Sequence, residues 1–402
     1  CLMVEPRDRA EDEGGPEVRP ETAAVLAGRT VDERSLAPVL YPTSTFGFDT
    51  VEEGRRQATA VAPDRFYSRY GNPTINAFEA TIAELEGAEA ARAFASGMGA
   101  VSAVVLGICS TGDHIVAQRQ LYAGTQLFLQ TACPRFGIDV TFVDGTQPGA
   151  FAEAVVPGKT MLVLAETPAN PRLDIVDLDA LGAIANALTV VDSTFATPLG
   201  QTPLAHGVDL VLHSATKGIA GHNDATIGVV AGSDDLLAWL WGFAVLHGAN
   251  ASPYDAYNAH RGVRTLDVRL RHQAESARLL AEYLEAHDGV SDVRYPGLPS
   301  HPQHELAGRQ MRTMGGLLTF DLAGGIDAGR RFVEATSIAR QATSLGGPET
   351  LLCHSATTTH VGLTPDELEA SGIGEGTVRV SCGLENADDL VADFGRGLDA
   401  AG

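Results

Sequence analysis

The segment HSATKGIAGH, at residues 213–222, places a lysine and two hydroxyl side chains directly after an apolar run. Lys217 follows Ser214 and Thr216, and the preceding residues VDLVLHSA, at 208–215, have the pattern of a buried strand. Burial disfavours the charged ammonium group, lowers the lysine pKa and makes the amine a nucleophile for carbonyl carbon. The ordinary alternative is a lysine that simply extends from a strand end into solvent. The residues around Lys217 must distinguish these two interpretations.

Two other apolar runs also end in polar residues. Glu166 lies in MLVLAET at 161–167, and Asp192 lies in LTVVDST at 188–194. Such continuous apolar runs, separated by helical patterns, predict a parallel sheet covered on both faces. Ligands of these sheets gather at the carboxyl ends of the strands. Together with Ser214, the three strand ends therefore predict one crevice.

The segment FASGMGAVSAVV, at 94–105, predicts an anion site at the same crevice. A strand pattern ends at Ser96, and Gly97 and Met98 open an apolar helix whose first N–H groups and positive end can meet a phosphate. The segment also approaches the G-x-G-x-x-G pattern of dinucleotide sites, but Ser102 occupies the third glycine position. A dinucleotide-dependent oxidoreductase is therefore the alternative from another class of enzyme.

A pyridine ring with a phosphate arm fits the groups at this crevice. Asp192 supplies the carboxylate that a protonated pyridine nitrogen needs, and Ser214 and Thr216 supply hydroxyls for a phosphate. Lys217 supplies an amine that would react with an aldehyde on the ring. The sequence therefore predicts a site for pyridoxal 5′-phosphate (PLP), bound covalently to Lys217.

An ordered set of motifs extends this interpretation to nearly the whole chain from Glu21. The chain resembles the γ-subfamily of fold-type-I PLP enzymes of cysteine and methionine metabolism, which includes cystathionine γ-lyase, methionine γ-lyase and cystathionine γ-synthase. The motifs are YPTSTF (41–46), YSRYGNPT (67–74), ASGMGA (95–100), ETPANP (166–171), VDSTFATP (191–198), HSATKGIAGH (213–222), YPGLPSHPQHEL (295–306), SLGG (344–347) and VRVSCGLE (378–385). The resemblance implies an α/β, PLP-dependent aminotransferase-like fold. Its large domain would hold a mostly parallel sheet flanked by helices, followed by a smaller C-terminal α+β domain.

The resemblance also implies how the cofactor would be bound. Lys217 would carry PLP as a Schiff base, and Asp192 would keep the pyridine nitrogen protonated. Tyr122 would stack on the ring and donate a proton to a leaving thiolate. The phosphate would be bound by Ser96, Gly97, Met98, Ser214 and Thr216.

Other implied residues serve a neighbouring subunit or the substrate. Tyr67 and Arg69 would reach the phosphate of the neighbouring subunit, which implies shared active sites in a homotetramer built from two dimers. The substrate would be bound by Arg379, which would hold its carboxylate, and by Asn170, Ser344 and Glu349.

Composition and patterning divide the chain into four parts. Residues 1–20 are acidic and rich in Pro and Gly, which predicts a disordered tail. Residues 21–75 are expected to form an N-terminal arm that contributes to the neighbouring subunit's site, and 76–261 the large PLP-binding domain. Residues 262–402 open with a long amphipathic helix pattern that ends at Gly289, and they are expected to form the C-terminal domain.

Composition also disfavours several classes of partner. The net charge is −23, with 51 acidic against 28 basic residues, which argues against nucleic acid and anionic membranes. No apolar run has the length of a membrane span, and the five cysteines lack CxxC spacing, which favours a reducing cytoplasm. We expect no metal site. The residues His213, His222, His354 and His360 lack the i, i+4 spacing of metal ligands, and we interpret them as ordinary hydrogen-bonded histidines.

The expected reaction is γ-elimination from a sulfur amino acid, which yields 2-oxobutanoate, ammonia and a thiol. Gly124 stands where methionine γ-lyases typically carry a cysteine, and Ala244–Val245 replaces a Lys–Asp pair of those enzymes. Both departures favour cystathionine as the substrate, with methionine or homocysteine next. The main alternative is γ-replacement on an O-acyl-homoserine, as in cystathionine γ-synthase.

Three further residues bear on this choice. Leu345 stands where β-lyases tend to have an aromatic residue, which makes a β-lyase a lesser alternative. Gly218 replaces the aromatic residue that commonly follows the lysine, and Ser193 replaces the usual Asn after the aspartate. Gly218 is expected to open space near the cofactor or to loosen the backbone, and Ser193 is expected to change one hydrogen-bonding group. Both departures leave the substrate undecided. A non-catalytic protein with the same fold is the remaining alternative.

Overall fold

The computed structural model of the protein describes residues 18–29, 34–358, 361, 368 and 372–402. Most of the expected N-terminal tail, and His360, lie outside the described residues. The helices are α1 (Pro20–Leu26), α2 (Val51–Thr59), α3 (Pro73–Glu86), α4 (Gly97–Ile108), α5 (Ala123–Thr131), α6 (Ala150–Ala154), α7 (Leu178–Gly182), α8 (Thr197–Gly200), α9 (Asp234–His247), α10 (Pro253–Val263), α11 (Leu266–Glu285), α12 (His304–Gln310), α13 (Gly325–Ala335) and α14 (Ala387–Ala401). The strands are β1 (Ala90–Phe94), β2 (His114–Gln118), β3 (Asp139–Val143), β4 (Thr160–Glu166), β5 (Leu188–Asp192), β6 (Leu210–His213), β7 (Gly228–Gly232), β8 (Val290–Arg294), β9 (Leu317–Leu322), β10 (Arg340–Gln341), β11 (Leu351–His354) and β12 (Thr377–Ser381). Among these residues, no helix is both long and apolar enough to cross a bilayer.

The first sheet has seven strands in the order β1-β7-β6-β5-β4-β2-β3. Its neighbouring strands pair in parallel, except for the two pairs that include β7. The three apolar runs expected to be strands form β4, β5 and β6, which lie side by side. The expectation of an α/β fold with a mostly parallel sheet is confirmed.

Helices cover both faces of this sheet because its strands carry apolar residues on both faces. On β6, Leu210 and Leu212 pack in one core cluster with Val101 of α4, whereas Val211 packs in another with Phe78 of α3. The strand is therefore held between two helical layers. This packing fixes the point and the direction in which the polar residues after β6 leave the sheet.

The second sheet has five strands in the order β10-β11-β12-β9-β8, and its pairs are antiparallel except for β10 with β11. Phe320, Phe332 and Phe394 pack in its core, with ring centroids 5.1 to 6.3 Å apart. Helix α11 packs against β8 and β9 and so adjoins the second sheet. It ends at Glu285, before the expected Gly289, because a turn closed by Val290 N donating to His287 O at 3.0 Å leads into β8.

A buried acid–histidine pair lies where the end of α3 meets the end of β6. His213 Nε2 is 2.6 Å from Glu86 Oε1, and both side chains are fully buried. The other polar atoms of the two groups, His213 Nδ1 and Glu86 Oε2, have no hydrogen-bond partner within the described part of the chain. Each side chain therefore depends on the other for a polar contact.

We expect His213→Leu to lower the free energy of unfolding by about 3–5 kcal/mol, because it leaves the Glu86 carboxyl group buried without a partner. The double variant Glu86→Leu/His213→Leu should recover most of this loss, since apolar side chains can replace a buried polar pair at little cost. Denaturant unfolding followed by circular dichroism measures both values. A double variant as unstable as the single one would contradict this account of the pair.

Candidate active site

A cavity of about 710 Å³ opens at the carboxyl ends of β4, β5 and β6. Glu166, Asp192 and Ser214, one from each strand end, all line it. The expectation that these three ends meet at one crevice is confirmed. The cavity also brings together most of the other expected site residues: Ser96, Gly97, Met98, Tyr122, Asn170, Thr216, Lys217, Ser344 and Arg379.

Lys217 lies in the turn after β6 and is half-buried. Its Nζ donates a hydrogen bond to Ser344 Oγ at 2.9 Å. Burial lowers the pKa of Lys217, and the nearby positive charge of Arg379 lowers it further. Ser344 itself has φ +81°, a left-handed conformation that is strained for a residue other than glycine and that is common at functional sites. The amine is thus held at the cavity wall, where its surroundings favour the neutral, nucleophilic form.

The N-terminus of α4 lies at one end of the cavity, which is here called the anion-binding end because its N–H groups are suited to an anion. Ser96 caps the helix, with its Oγ accepting from Gly99 N at 2.9 Å, and Gly97 and Met98 are the first helical residues. A Cβ atom at Gly97 would lie 2.7 Å from Cβ of Ser214, so glycine is what allows the helix end to approach Ser214. The helix N–H groups and the adjacent hydroxyl suit a phosphate.

Thr216 lines the same end of the cavity, but its hydroxyl already makes two hydrogen bonds within the protein. Oγ1 accepts from Ile227 N at 2.9 Å and donates to Ile227 O at 3.1 Å. A hydroxyl has a single proton to donate, so in this arrangement Thr216 joins the lysine turn to the residue before β7. Of the two hydroxyls expected to bind phosphate, Ser214 is better placed to donate.

Two acidic side chains lie side by side at the strand ends. Glu166 of β4 pairs in register with Asp192 of β5. Asp192 Oδ1 accepts from Thr194 N at 3.0 Å and from Thr194 Oγ1 at 2.5 Å. Burial raises the pKa of Asp192, and these hydrogen bonds oppose that rise. Burial, and then the charge of Asp192, raise the pKa of Glu166 well above its ordinary value.

Glu166 is a cavity residue to which the sequence assigned no role. Its side-chain oxygens accept from Tyr122 N at 2.7 Å and from Asn170 N at 2.8 Å, and the residue is only 3% exposed. Glu166 therefore joins the segment that carries Tyr122 to the one that carries Asn170. Its place at a strand end was visible in the sequence, but bonds to main-chain N–H groups leave no pattern of side-chain types.

Arg379 of β12 brings a guanidinium group from the second sheet into the cavity. Its two terminal nitrogens donate to Asn170 Oδ1 and to Ser344 O, each at 2.9 Å. Its Nε is buried and has no hydrogen-bond partner among the described residues. A guanidinium that is held in place and has N–H donors still unused is suited to bind a carboxylate.

Tyr122 precedes α5 and is 48% exposed, with its ring close to Gly124. A Cβ atom at Gly124 would lie 2.5 Å from Cε1 of the ring. A side chain at this position, such as the cysteine expected in methionine γ-lyases, would therefore displace the ring. Glycine at 124 allows the position that Tyr122 occupies here.

The chain also matches a known family over almost its full length. The family model for Cys/Met metabolism PLP-dependent enzymes matches residues 21–399. The chain belongs to this family. PLP is the cofactor of these enzymes, which act on sulfur amino acids as lyases and synthases.

Individual relatives within this family carry several activities. L-methionine gamma-lyase of Porphyromonas gingivalis is 43% identical over 371 residues, which are 91% of this chain and 93% of that protein. O-succinylhomoserine sulfhydrylase of Pseudomonas aeruginosa is 42% identical, over 94% of this chain and 95% of that protein. A crystal structure of cystathionine gamma synthase from Xanthomonas oryzae pv. oryzae, in complex with aminoacrylate and cysteine, is 38% identical with a TM-score of 0.89. That match covers 96% of this chain and 99% of the other.

The cavity of this family member has the features that PLP requires. Gly97 leaves open the space that a Cβ atom would fill at the anion-binding end. A carboxylate and a lysine amine, those of Asp192 and Lys217, line the same cavity. An acid for a pyridine nitrogen, an amine for an aldehyde and an N–H cradle for a phosphate are therefore all present.

The structure does not bring three expected residues into this chain's cavity. Arg69 Nη1 donates to Val245 O at 2.7 Å, and its guanidinium lies 5.4 Å from the centroid of the Tyr67 ring. Glu349 is exposed and accepts from Asn223 Nδ2 at 2.9 Å. Tyr67 and Arg69 were expected to serve a neighbouring subunit, and that remains a prediction.

Two residues that depart from the family pattern, Ser193 and Gly218, do not face the cavity. Ser193 is fully buried, and its Oγ accepts from Gln201 Nε2 at 3.0 Å. Gly218 lines a separate, smaller cavity that it shares with Phe195 and with Leu270 of α11. Any space that Gly218 opens therefore lies behind the lysine turn, on the side of α11.

The described histidines of the set considered for metal binding have ordinary partners. His222 Nδ1 lies 2.8 Å from Ala220 O, and His354 Nδ1 lies 2.8 Å from Thr357 Oγ1. His213 forms the pair with Glu86. Within the described ranges, no group of three or more His, Cys, Asp or Glu side chains is arranged to hold a metal ion.

We expect Arg379→Gln to raise the pKa of Lys217, because the variant removes a positive charge that opposes lysine protonation and leaves only burial to lower the pKa. PLP adds to the unprotonated amine, so the midpoint of the pH profile for PLP addition to cofactor-depleted protein should move to higher pH. Stopped-flow absorbance measures this rate. Arg271→Gln, at an exposed arginine of α11, is the control and should leave the midpoint unchanged. An unshifted midpoint in Arg379→Gln would contradict the assigned coupling.

Proposed function

We propose that the protein catalyses PLP-dependent γ-elimination on a sulfur amino acid, which yields 2-oxobutanoate, ammonia and a thiol. One observation carries this proposal. A lysine amine of lowered pKa, an acid for a pyridine nitrogen and a guanidinium with an unused donor line one cavity at the strand ends. These groups match the attachment, activation and carboxylate-binding functions that such a reaction needs.

Lys217, Asp192 and Tyr122 would each have a part in this reaction. When bound, PLP supplies an electron sink that stabilises negative charge developing at the substrate Cα. Lys217 would attach the cofactor and, once displaced from it, remove the Cα proton as a general base. Asp192 would hold a proton on the pyridine nitrogen. The Tyr122 hydroxyl, on a ring with room to move, would donate a proton to the departing sulfur.

Arg379 would orient the substrate through its carboxylate. Asn170 and Ser344 already hold two of its nitrogens, so the guanidinium plane is fixed before substrate arrives. Ser344 also accepts from Lys217 Nζ, which sets the distance between the base and the carboxylate site. The base and the bound substrate are therefore positioned by one residue.

The lining of the cavity favours a substrate with a single carboxylate. Among its described lining residues, the side chains that carry a positive charge are Lys217 and Arg379. The wall formed by α5 is neutral, with Gly124 and Leu127 beside Gln126. A second amino-acid end, as in cystathionine, would leave a charged group without a partner there. This lining favours methionine or homocysteine, although Gly124 and Ala244–Val245 favoured cystathionine in the sequence.

γ-Replacement on an O-acyl-homoserine is the second candidate. It is favoured by the close relation to O-succinylhomoserine sulfhydrylase and to cystathionine γ-synthase. The two reactions share the cofactor, base and carboxylate site. They differ in whether water or a thiol completes the reaction.

We further propose a homotetramer of two dimers with shared active sites, located in the cytoplasm. In support, Tyr67 is 40% exposed and lies with Arg69 outside the cavity of its own chain, so both are available to a neighbour. The four cysteines of the described part are free and buried, which suits a reducing compartment.

A substrate panel separates these functions. Purified holoenzyme would be incubated with methionine, homocysteine, cystathionine and, with or without cysteine, O-succinyl-homoserine. The measured products are 2-oxobutanoate, ammonia, cystathionine and the released thiol, which for homocysteine is hydrogen sulfide. We expect kcat/KM for methionine or homocysteine to exceed that for cystathionine by at least about tenfold, since an unpaired charge costs that much. Cysteine-dependent cystathionine formation without 2-oxobutanoate would instead establish the replacement reaction.

Lys217→Ala should lower kcat for every product by at least about 10³-fold, because the same amine attaches the cofactor and moves the Cα proton. Borohydride reduction followed by peptide mass spectrometry should find no pyridoxyl group on the variant. Lys159→Ala is the matched control, since Lys159 is exposed and paired with Asp139 at 2.7 Å. Turnover by Lys217→Ala at the wild-type rate would refute the proposed function.

A further inference from the structure

A buried arginine on α11 has no acidic partner. Arg269 is 4% exposed, and within the described chain no Asp or Glu side chain forms an ion pair with it. Burial lowers its pKa to about 10, so the guanidinium is still charged at neutral pH. A buried charge without a counter-ion is costly, and it persists only where polar groups surround it.

Main-chain oxygens supply that polar environment. Arg269 Nη1 donates to Gly218 O at 2.8 Å, and Nη2 donates to Ile219 O at 3.3 Å and to Gly262 O at 2.7 Å. Nε donates to Thr265 Oγ1 at 3.2 Å. The planar fork of an arginine presents five N–H donors on three nitrogens, whereas a lysine has three donors on a single nitrogen. Two of the three carbonyls belong to the residues immediately after Lys217.

The turn around Lys217 uses three of its other carbonyls internally. Lys217 N donates to Ser214 O at 3.1 Å, Ala220 N to Ala215 O at 2.9 Å, and Gly221 N to Lys217 O at 2.8 Å. The carbonyls of residues 218 and 219 are the ones that turn outward to Arg269. The guanidinium therefore completes the hydrogen bonding of the turn that carries the lysine.

The backbone is shaped to let the guanidinium approach. Gly221 has φ +66°, and a Cβ atom there would lie 1.8 Å from Arg269 Nη1. A Cβ atom at Gly262 would lie 2.0 Å from Ala220 O. Glycines on both sides of the contact thus allow α10, α11 and the lysine turn to meet closely.

We propose that Arg269 is a positioning residue for Lys217. From α11, which adjoins the second sheet, it holds the turn after β6 so that the amine faces the cavity and reaches Ser344. This inference rests on the proposed function, since it requires Lys217 to be the residue that reacts. It assigns to Arg269 no contact with cofactor or substrate.

The test compares Arg269→Lys and Arg269→Gln with wild-type holoenzyme. Three properties are measured: the fraction of chains with a pyridoxyl group on Lys217 after borohydride reduction at limiting PLP, the visible circular dichroism of the bound cofactor, and kcat with KM. We expect a lower labelled fraction, an altered dichroism band and a fall in kcat of about a hundredfold, as misplacement of a catalytic group by about 1 Å produces. KM should change less than about threefold, because the carboxylate site is untouched.

Two further variants keep the test decisive. Thr265→Val removes the acceptor of Nε and leaves the three carbonyl bonds, so it should fold and give smaller changes in the same direction. Asp393→Asn is the matched control. Asp393 is a fully buried charge that holds a loop, accepting from Ser337 N at 2.9 Å and from Ile338 N and Ala339 N at 3.0 Å. It lies away from the cavity, so its variant should lower thermal stability without changing the labelled fraction or kcat.

The outcomes separate this inference from the proposed function. If the Arg269 and Thr265 variants lose only thermal stability and keep wild-type labelling, dichroism and kcat, Arg269 is a purely structural residue and the inference is wrong. If Lys217→Ala turns over substrate at the wild-type rate, the proposed function fails instead.

Discussion

The structure depends on holding four ionisable groups in one largely desolvated cavity. Lys217 and Arg379 contribute positive charge, and Glu166 and Asp192 are acidic. Burial disfavours the charged form of the lysine and of both acids, and the directions of their pKa shifts follow from that. The charge of Arg379 lowers the pKa of both Glu166 and Lys217, so it favours the carboxylate and the free amine together. For Lys217 this charge adds to the effect of burial and favours the free amine, whereas for Glu166 burial outweighs it and the pKa stays well above its ordinary value.

The four ionisable groups come together because two sheets meet at the cavity. The first sheet supplies the strand ends with Asp192 and the lysine turn, and the second supplies Arg379 from β12. Ser344 bonds to both cations, through its hydroxyl to Lys217 and through its carbonyl to Arg379. Arg269 makes a second connection behind the lysine turn. The reactive amine is therefore fixed from its side-chain end and from its backbone.

The sequence was sufficient to locate site residues that follow directly on strands. It was not sufficient to assign roles to residues whose hydrogen-bond partners are main-chain groups. Apolar runs followed by polar residues located Asp192 and Ser214, because parallel strands bring their carboxyl ends to one edge. Arg379 came only from the resemblance, since no local pattern links β12 to a distant cavity. Glu166 and Arg269 were not assigned roles, because both bond to backbone groups whose positions only the folded chain defines.

The residues that depart from the family pattern differ in whether they face the cavity, and this bears on which substrate the cavity selects. Gly218 and Ser193 depart from the family beside the catalytic motifs, yet their sites face α11 and the interior rather than the cavity. Their substitution can change the rigidity of the lysine turn or of the strand end, but it cannot contact a substrate side chain. Gly124 does face the cavity, where it admits the Tyr122 ring, and Leu127 lies on the same neutral wall. Among these departures, Gly124 on α5 can therefore affect selectivity for the sulfur substituent directly, while Gly218 and Ser193 act on the scaffold behind the cavity.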